Sequence, residues 1–212
     1  MINKKDVEAI RPPNMGWLEY KLTNQQMDYV WKCIDNKKED VKPQLAGNIT
    51  GSYQLPDKSN WFFLNVLKPL CVEYREQFKN LAAKVPINQF HPFFLQSFWV
   101  NFQNQNEFNP MHSHSGVYSF VIWLKIPTTY FEQKKNPIAL NSNNNSVSNF
   151  EFMYPNILGS LEPFTYEMSP KLEGTMVFFP AQLRHAVYPF YNCDEERISI
   201  SGNIALNTAK TS

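Results

Sequence analysis

Short apolar runs, each bounded by glycine, proline or asparagine, recur through the chain after residue 86. They are rich in aromatic and β-branched residues, a composition typical of β-strands. Repeated short strands predict a β-sandwich or small barrel over residues 91–208. The predicted strands cover residues 93–103, 116–127, 149–154, 174–180 and 197–206.

Residues 1–90 follow a different pattern, which predicts helices joined by turns. Apolar residues recur at helical spacing in residues 24–38 and again from residue 57 to about 84. Pro69 predicts a kink or break near the middle of the second helix, because proline has no backbone N–H to donate. The connector over residues 45–57 is rich in turn residues and predicts at most one short strand.

A polar segment rich in Asn and Ser occupies residues 131–149 and predicts a long surface loop or flap. We expect one domain over residues 1–212, in which the helical part, residues 1–90, packs on the β core. The largest aromatic side chains of the strands are predicted to fill that core. They are Trp99, Trp123, Phe178 and Phe179.

The charge of the chain is nearly balanced, with 20 Lys and Arg against 19 Asp and Glu and a net charge of +1. Neither nucleic acid nor a membrane surface is therefore an expected partner. The three cysteines lie far apart without a CxxC pair, which favours a reducing compartment. Since neither a signal peptide nor a membrane-spanning apolar run is evident, we expect a cytoplasmic location.

Two of the four histidines lie one residue apart in NPMHSHSG, residues 109–116. On an extended strand, side chains at i and i+2 project from the same face, so His112 and His114 can converge on one metal ion. A competing interpretation of His114 is a hydrogen bond to the backbone beside a site made of two histidines.

A third histidine, His185, follows a predicted strand and a turn at Pro180. Gly174, Pro180 and His185 have the spacing of part of the second cupin motif, which supplies a metal ligand in that superfamily. The segment resembles this motif incompletely, because Gln182 and Pro189 stand where cupins have Gly and Asn.

Arg197 and Ser199 share one face of the last predicted strand. A guanidinium beside a hydroxyl suits a carboxylate, which Arg binds through two parallel hydrogen bonds. The competing interpretation is a salt bridge between Arg197 and one of the acids at positions 194–196.

The order HxH, His, RxS resembles the 2-oxoglutarate- and Fe(II)-dependent oxygenase superfamily, and in particular members encoded by bacteriophages. Residues 101–127 and 174–203 carry the resemblance. It implies a mainly β chain of the α+β class, with a double-stranded β-helix (a jelly-roll or cupin-like barrel) and the N-terminal helices packed on it.

The resemblance also implies a site. His112, His114 and His185 would be the metal ligands of Fe(II), while Arg197 and Ser199 would bind the cosubstrate 2-oxoglutarate, with O2 as the oxidant. Members of the superfamily normally have Asp or Glu where His114 stands. Three neutral imidazoles leave the full charge on the metal, so selectivity for iron over zinc stays open.

The implied activity is a hydroxylase that couples decarboxylation of 2-oxoglutarate to C–H oxidation of a small-molecule or peptidyl substrate. Two alternatives remain: a non-catalytic cupin-like metal-binding module, and a three-histidine dioxygenase independent of 2-oxoglutarate. The prime substrate and the oligomeric state, with a homodimer among the options, are open. For a phage protein the expected location is the host cytoplasm.

Four further residues have weaker expectations. Ser201 and Asn203 follow Arg197 on the same strand face, where Asn203 is either a polar wall of the site or a cap on the sheet. Tyr118 either reaches the cosubstrate or packs in the core. His91 has no partner at ligand spacing and is expected in a turn or on the surface.

Overall fold

The computed structural model describes residues 7–10, 14–41, 45–78, 91–144 and 146–209. In these ranges the strands form two antiparallel sheets, which confirms the double-stranded β-helix. The strands in chain order are β1 Leu18–Lys21, β2 Gly51–Gln54, β3 Phe93–Gln103, β4 Asn109–His112, β5 Tyr118–Lys125, β6 Phe150–Pro155, β7 Leu161–Tyr166, β8 Thr175–Pro180, β9 Arg184–Val187 and β10 Arg197–Leu206.

The larger sheet has the strand order β1-β8-β5-β10-β3-β2, and the smaller has β4-β9-β6-β7. The long strands β3 and β10 are neighbours in the larger sheet, paired from Gln103 opposite Arg197 to Phe93 opposite Leu206. Partners on antiparallel strands share a face, so every second pair from Arg197 to Asn203, before the register shift at Ile204, points into the barrel. That ladder positions much of the site described below.

The predicted first helix is confirmed as α1, Asn24–Asp35. Thr23 caps it, since its hydroxyl accepts from the Gln26 backbone N–H while the Gln26 side chain accepts from the Thr23 N–H. These reciprocal bonds satisfy two backbone donors at the helix start. The buried face of α1 consists of Val30, Cys33 and Ile34.

The second predicted helix begins as a 3₁₀ turn, Lys58–Asn60, and passes through a π-helical stretch, Phe63–Leu67, into α2, Lys68–Gln77. Pro69 therefore does not break the helix, but the backbone leaves regular α-helical geometry directly before Lys68, next to the position predicted for a kink or break. A proline ring clashes with the carbonyl four residues earlier in a regular α-helix, and the wider π turn before α2 accommodates the ring. Residues 79–84 of this prediction lie outside the described residues.

The two helices pack on the outer face of the larger sheet. The Phe62 ring stacks on Phe98 of β3 with centroids 5.5 Å apart, and Tyr74 of α2 contacts Tyr118 of β5 at 5.0 Å. Tyr118 thus lies in the core between helices and sheet. Of its two predicted roles, this is packing in the core and not contact with the cosubstrate. A second core between the sheets contains Trp123, Phe152 and Phe179.

Residues 14–41 and 45–78 are less exclusively helical than predicted. The connector holds β2, as expected, but β1 is a missed strand that pairs with β8 at the edge of the larger sheet. Four residues with alternating burial give too short a pattern to recognise, and this strand depends on the backbone of β8. The predicted boundary between the helical part and the β core, at residue 90, falls at the end of the segment 79–90. That segment lies outside the described residues, so the boundary stays a prediction.

The predicted loop at 131–149 is only partly a surface feature. It carries the short helices α3, Tyr130–Gln133, and α4, Pro137–Leu140. Its end turns inward, where Ser148 and Asn149 are fully buried. Among the helices of the described ranges, none has the length and apolarity to cross a bilayer.

Candidate active site

The smaller sheet brings two of the histidines together. His112 ends β4 and lies directly opposite His185 of β9, with ring centroids 4.3 Å apart. His114 lies beyond the end of β4, so the strand expected for both histidines covers only the first. The backbone instead fixes His114, because its N–H donates to the Ala181 carbonyl at 2.8 Å and its carbonyl accepts from the Gln182 amide at 3.0 Å.

The three imidazoles form one cluster. One ring nitrogen from each of His112, His114 and His185 lies within 4.8 Å of the other two, and the Nε2 atoms of His114 and His185 are 3.2 Å apart. Imidazole nitrogens bind divalent metals at about 2.0–2.1 Å, so two nitrogens on one ion are about 3.0–3.4 Å apart. The cluster therefore fits a single metal ion.

Hydrogen bonds prepare two of the rings for metal binding. Nδ1 of His112 lies 2.7 Å from the Pro110 carbonyl, and Nδ1 of His185 lies 3.0 Å from the Leu183 carbonyl. An Nδ1–H that donates to a carbonyl leaves the Nε2 lone pair for a metal. Burial lowers the pKa of His185 to about 3 and that of His114 to about 4, so both rings are neutral at pH 7.

Arg197 begins β10 and has only 2% of its surface exposed. Its Nη2 donates to the Ser148 hydroxyl at 2.6 Å, its Nη1 lies 3.5 Å from Oε1 of Gln103, and its guanidinium carbon lies 4.9 Å from the centre of the Phe190 ring. Its Nε is buried without a hydrogen-bond partner in the described ranges. Burial lowers the pKa of Arg197 to about 9, which still leaves it charged at pH 7.

The nearby acids do not neutralise this charge. Glu195 forms a salt bridge with Lys125 at 2.8 Å, and Asp194 accepts from the Gln105 amide at 2.9 Å. Among the described residues Arg197 has no ion pair. The salt-bridge alternative is therefore wrong, and a buried cation is left available to an anion.

One cavity of about 600 Å³ joins these groups. Its lining includes the three histidines, together with Arg197 and Ser199. The sequence-predicted site residues thus all line the same space, although they come from both sheets. A metal ion and a small dicarboxylic acid would be neighbours in it.

The comparisons with known proteins agree with this arrangement. Residues 97–203, just over half of the 212 residues, match the sequence profile of a family described as "Putative 2OG-Fe(II) oxygenase". The chain belongs to the 2OG-Fe(II) oxygenase family. Its cofactors are therefore Fe(II), 2-oxoglutarate and O2, as expected from the resemblance.

Solved structures show the same fold for this oxygenase. A 2OG-Fe(II) oxygenase family oxidoreductase from Burkholderia pseudomallei superposes with a TM-score of 0.51 at 14% identity, over 86% of this chain and 78% of that chain. A Pseudomonas putida prolyl-4-hydroxylase gives 0.51 at 14%, over 90% and 92%. HygX from Streptomyces hygroscopicus, with nickel, 2-oxoglutarate and hygromycin B bound, gives 0.51 at 9%, over 92% and 84%.

No curated protein matches the sequence of this oxygenase. The histidines fit the metal that the family uses, since imidazole is a suitable ligand for iron. They also differ from the usual pattern, because His114 stands where an acid is normal and no carboxylate of the described residues belongs to the cluster.

Sequence reasoning missed several residues of the oxygenase site. Ser148 and Gln103, which contact Arg197, were not singled out. Trp99 and Trp123 are buried, as predicted, but they also line the cavity. The alternation of polar and apolar residues along 97–103 was a usable signal, because it places Trp99 on the face of polar neighbours.

The remaining expectations have mixed outcomes. Ser201 and Asn203 line the cavity, and Asn203 accepts a hydrogen bond from the Ser119 hydroxyl at 2.7 Å. Phe178 and Phe179 are fully buried, as predicted. His91 is half-buried and takes no part in the histidine cluster.

Proposed function

We propose that this chain hydroxylates a second, organic substrate at the expense of 2-oxoglutarate. In this proposal His112, His114 and His185 hold the iron, and Arg197 with Ser199 binds the distal carboxylate of 2-oxoglutarate. One observation carries it: a buried arginine, which has no counter-ion among the described residues, lines the same cavity as three neutral imidazoles that fit one metal.

The overall reaction is balanced by dioxygen. 2-Oxoglutarate, O2 and R–H give succinate, CO2 and R–OH, with one oxygen atom in succinate and the other in the new hydroxyl. Bound Fe(II) supplies the redox chemistry that lets O2 react with a 2-oxo acid. The prolyl-4-hydroxylase from P. putida shares the fold, and only its reaction type, not its substrate, enters this proposal.

The residues of the chain bind and orient 2-oxoglutarate and shield the reacting centre from water. Contacts from Ser148, Gln103 and Phe190 fix the Arg197 guanidinium, so little side-chain freedom is lost when a carboxylate binds. Trp123 and Phe150 give the cavity an apolar wall that limits water at the reacting centre.

The direct test is turnover of the full chain with Fe(II), 2-oxoglutarate and ascorbate, measured as succinate. We expect slow succinate formation even without a prime substrate. Anaerobic addition of 2-oxoglutarate to the Fe(II) protein should also give the weak visible band of a chelated 2-oxo acid. Absence of succinate, of the band and of 2-oxoglutarate binding would overturn the proposal.

Two controls separate the alternatives. Arg197→Ala should abolish 2-oxoglutarate binding while the metal still binds, because the guanidinium is not part of the three-histidine cluster. Oxygen consumption without 2-oxoglutarate would instead indicate the three-histidine dioxygenase. A protein that binds metal but shows neither reaction would be the non-catalytic module.

A further inference from the structure

The cavity continues along the inner face of β3 and β10, away from Arg197. Along β10, Arg197, Ser199, Ser201 and Asn203 alternate onto this face. Opposite them on β3 stand Gln103, Asn101, Trp99 and Ser97, in that order. We call the far end of this ladder the Trp99 face, defined by Ser97, Trp99, Ser201 and Asn203.

Trp99 carries an unused hydrogen-bond donor. The side chain is 6% exposed and lines the cavity, yet its Nε1 has no partner in the described part of the chain. The half-buried Ser97, two residues earlier on the same face, likewise has an Oγ without a partner. By contrast, the indole N–H of Trp17 donates to the Tyr166 hydroxyl at 2.7 Å. A buried donor without an acceptor is costly, which suggests that a bound molecule provides one.

The Trp99 face adjoins the histidines. The rings of Trp99 and His114 have centroids 5.9 Å apart. Ser201, directly opposite Trp99, lies four residues from Arg197 along β10, which corresponds to about 13 Å of strand. A molecule held at Trp99 is thus close to the metal ligands and well separated from the arginine.

The charge of this end differs from that of the Arg197 end. The four residues of the Trp99 face are uncharged, and the cavity lining next to them continues with Gln54 and Gln96. Two acids, Glu39 and Asp40, line the cavity on this side, and the Glu39 carbonyl accepts from the Gln54 backbone N–H at 3.0 Å. Among the described residues that line this end of the cavity none is Lys or Arg, so an anionic group meets no side-chain cation, and a purely apolar group would leave the donors unpaired.

We infer that the Trp99 face is the subsite for the prime substrate and takes an uncharged polar molecule that presents a hydroxyl or carbonyl oxygen to the Trp99 indole N–H. The inference rests on the proposed function, because it assigns the Arg197 end to 2-oxoglutarate. Polyols and amides share this acceptor chemistry. Phosphorylated molecules would bring a negative charge to this uncharged face, and pure hydrocarbons have no acceptor for the indole N–H.

The test uses the full chain loaded with Zn(II), a diamagnetic ion, with ¹⁵N-labelled tryptophan indoles observed by NMR. The probes are myo-inositol for polyols, N-acetylglycinamide for amides, and inositol 1-phosphate as the charged match to the first. We expect at least one neutral probe to shift the Trp99 indole signal saturably, and to bind more tightly than the phosphate. The responding probe distinguishes a polyol from an amide.

Substitutions supply the controls. Trp99→Phe and Trp31→Phe assign the two indole signals, and the second removes an exposed tryptophan of α1 that does not line the cavity. Trp99→Phe should weaken the neutral probe about fivefold to tenfold, measured for both proteins by calorimetric titration because the variant lacks the Trp99 signal, and leave 2-oxoglutarate affinity unchanged; this is the equivalent of one neutral hydrogen bond. Ser201→Ala should weaken the probe too, if the tryptophan variant does not fold.

The outcomes separate the two proposals. If neither neutral probe moves the Trp99 signal up to its solubility limit, or if the phosphate binds more tightly, the subsite is refuted. Equal weakening of 2-oxoglutarate by Trp99→Phe would assign the indole to the cosubstrate and also refute it. If the wild-type protein binds a neutral probe at Trp99 but not 2-oxoglutarate, the subsite stands and the proposed function fails.

Discussion

The hydroxyl of Ser148 accepts a hydrogen bond from Nη2 of Arg197 at 2.6 Å. Ser148 is fully buried and has a φ of 65°, in the left-handed region that favours glycine. Its own N–H donates to the Pro189 carbonyl at 2.9 Å, which anchors the end of the 131–149 segment. Glycine would adopt this backbone conformation more easily but has no hydroxyl. The serine at this position is therefore consistent with a need for a hydroxyl that binds Arg197.

Removal of this hydroxyl should weaken 2-oxoglutarate binding. Ser148→Ala leaves a buried guanidinium N–H without an acceptor, at a cost of about 1–3 kcal/mol, and frees the side chain to rotate. We expect a KM for 2-oxoglutarate raised about tenfold and a kcat changed much less, since Ser148 positions Arg197 and does not contact the reacting atoms. Calorimetric titration of 2-oxoglutarate into the Zn(II) protein measures the affinity directly.

Two variants control this experiment. Ser148→Gly also lacks the hydroxyl but suits a positive φ, so it should lose affinity with a smaller loss of thermal stability than Ser148→Ala. Ser142→Ala, at an exposed position of the same segment, should change neither. Unchanged affinity in both Ser148 variants would contradict a role in positioning.

A lysine in place of Arg197 tests charge against geometry. Arg197→Lys keeps one positive charge but cannot form two parallel hydrogen bonds to a carboxylate. We expect affinity for 2-oxoglutarate to fall about tenfold to 100-fold, by the loss of a charge-assisted hydrogen bond. Isothermal titration compares it with Arg197→Ala. Wild-type affinity in the lysine variant would show that charge alone suffices.

Most residues of the site could be predicted from the sequence, because they form recognisable local patterns. His112 and His114 are recognised by their spacing, and Arg197 with Ser199 by the phase of one strand. The same alternation of side chains over residues 97–103 predicts that Trp99 faces the cavity. These are patterns of period two, which a sequence displays directly.

Other features depend on partners far along the chain. Nothing local distinguishes Ser148 from the other serines of its polar segment, and its contact with Arg197 spans 49 residues. The short strands β1, β7 and β9 were missed, because four to six residues give little pattern and pairing with a neighbour decides their structure.

The position of His114 calls for a direct test of ligation. His114→Ala should weaken Zn(II) and Fe(II) binding at least about 100-fold, since loss of an outer-shell partner alone costs about 10- to 100-fold. His114→Asp should retain Fe(II) and raise its affinity relative to Zn(II), because two histidines and one carboxylate form the usual site of non-haem Fe(II) oxygenases. Competition with a chelator measures both affinities.

His91→Ala is the matched control for these substitutions, because His91 lies outside the cluster. It should leave metal affinity unchanged. A wild-type metal affinity in His114→Ala would support the competing interpretation, in which His112 and His185 hold the metal and His114 is not a ligand.

The metal-free protein should become less stable as the pH falls below about 6.5. Burial lowers the pKa of His185 to about 3, whereas the unfolded chain regains the ordinary value of about 6.5. The unfolded state therefore binds more protons below that pH, and stability that is complete above pH 6.5 is lost as the pH approaches 3. For this one histidine the slope is up to about 1.4 kcal/mol per pH unit. Urea unfolding between pH 7 and pH 5 measures it, and His185→Gln should reduce the slope because the replacement does not titrate. An equal slope in both proteins would show that other groups cause the acid sensitivity.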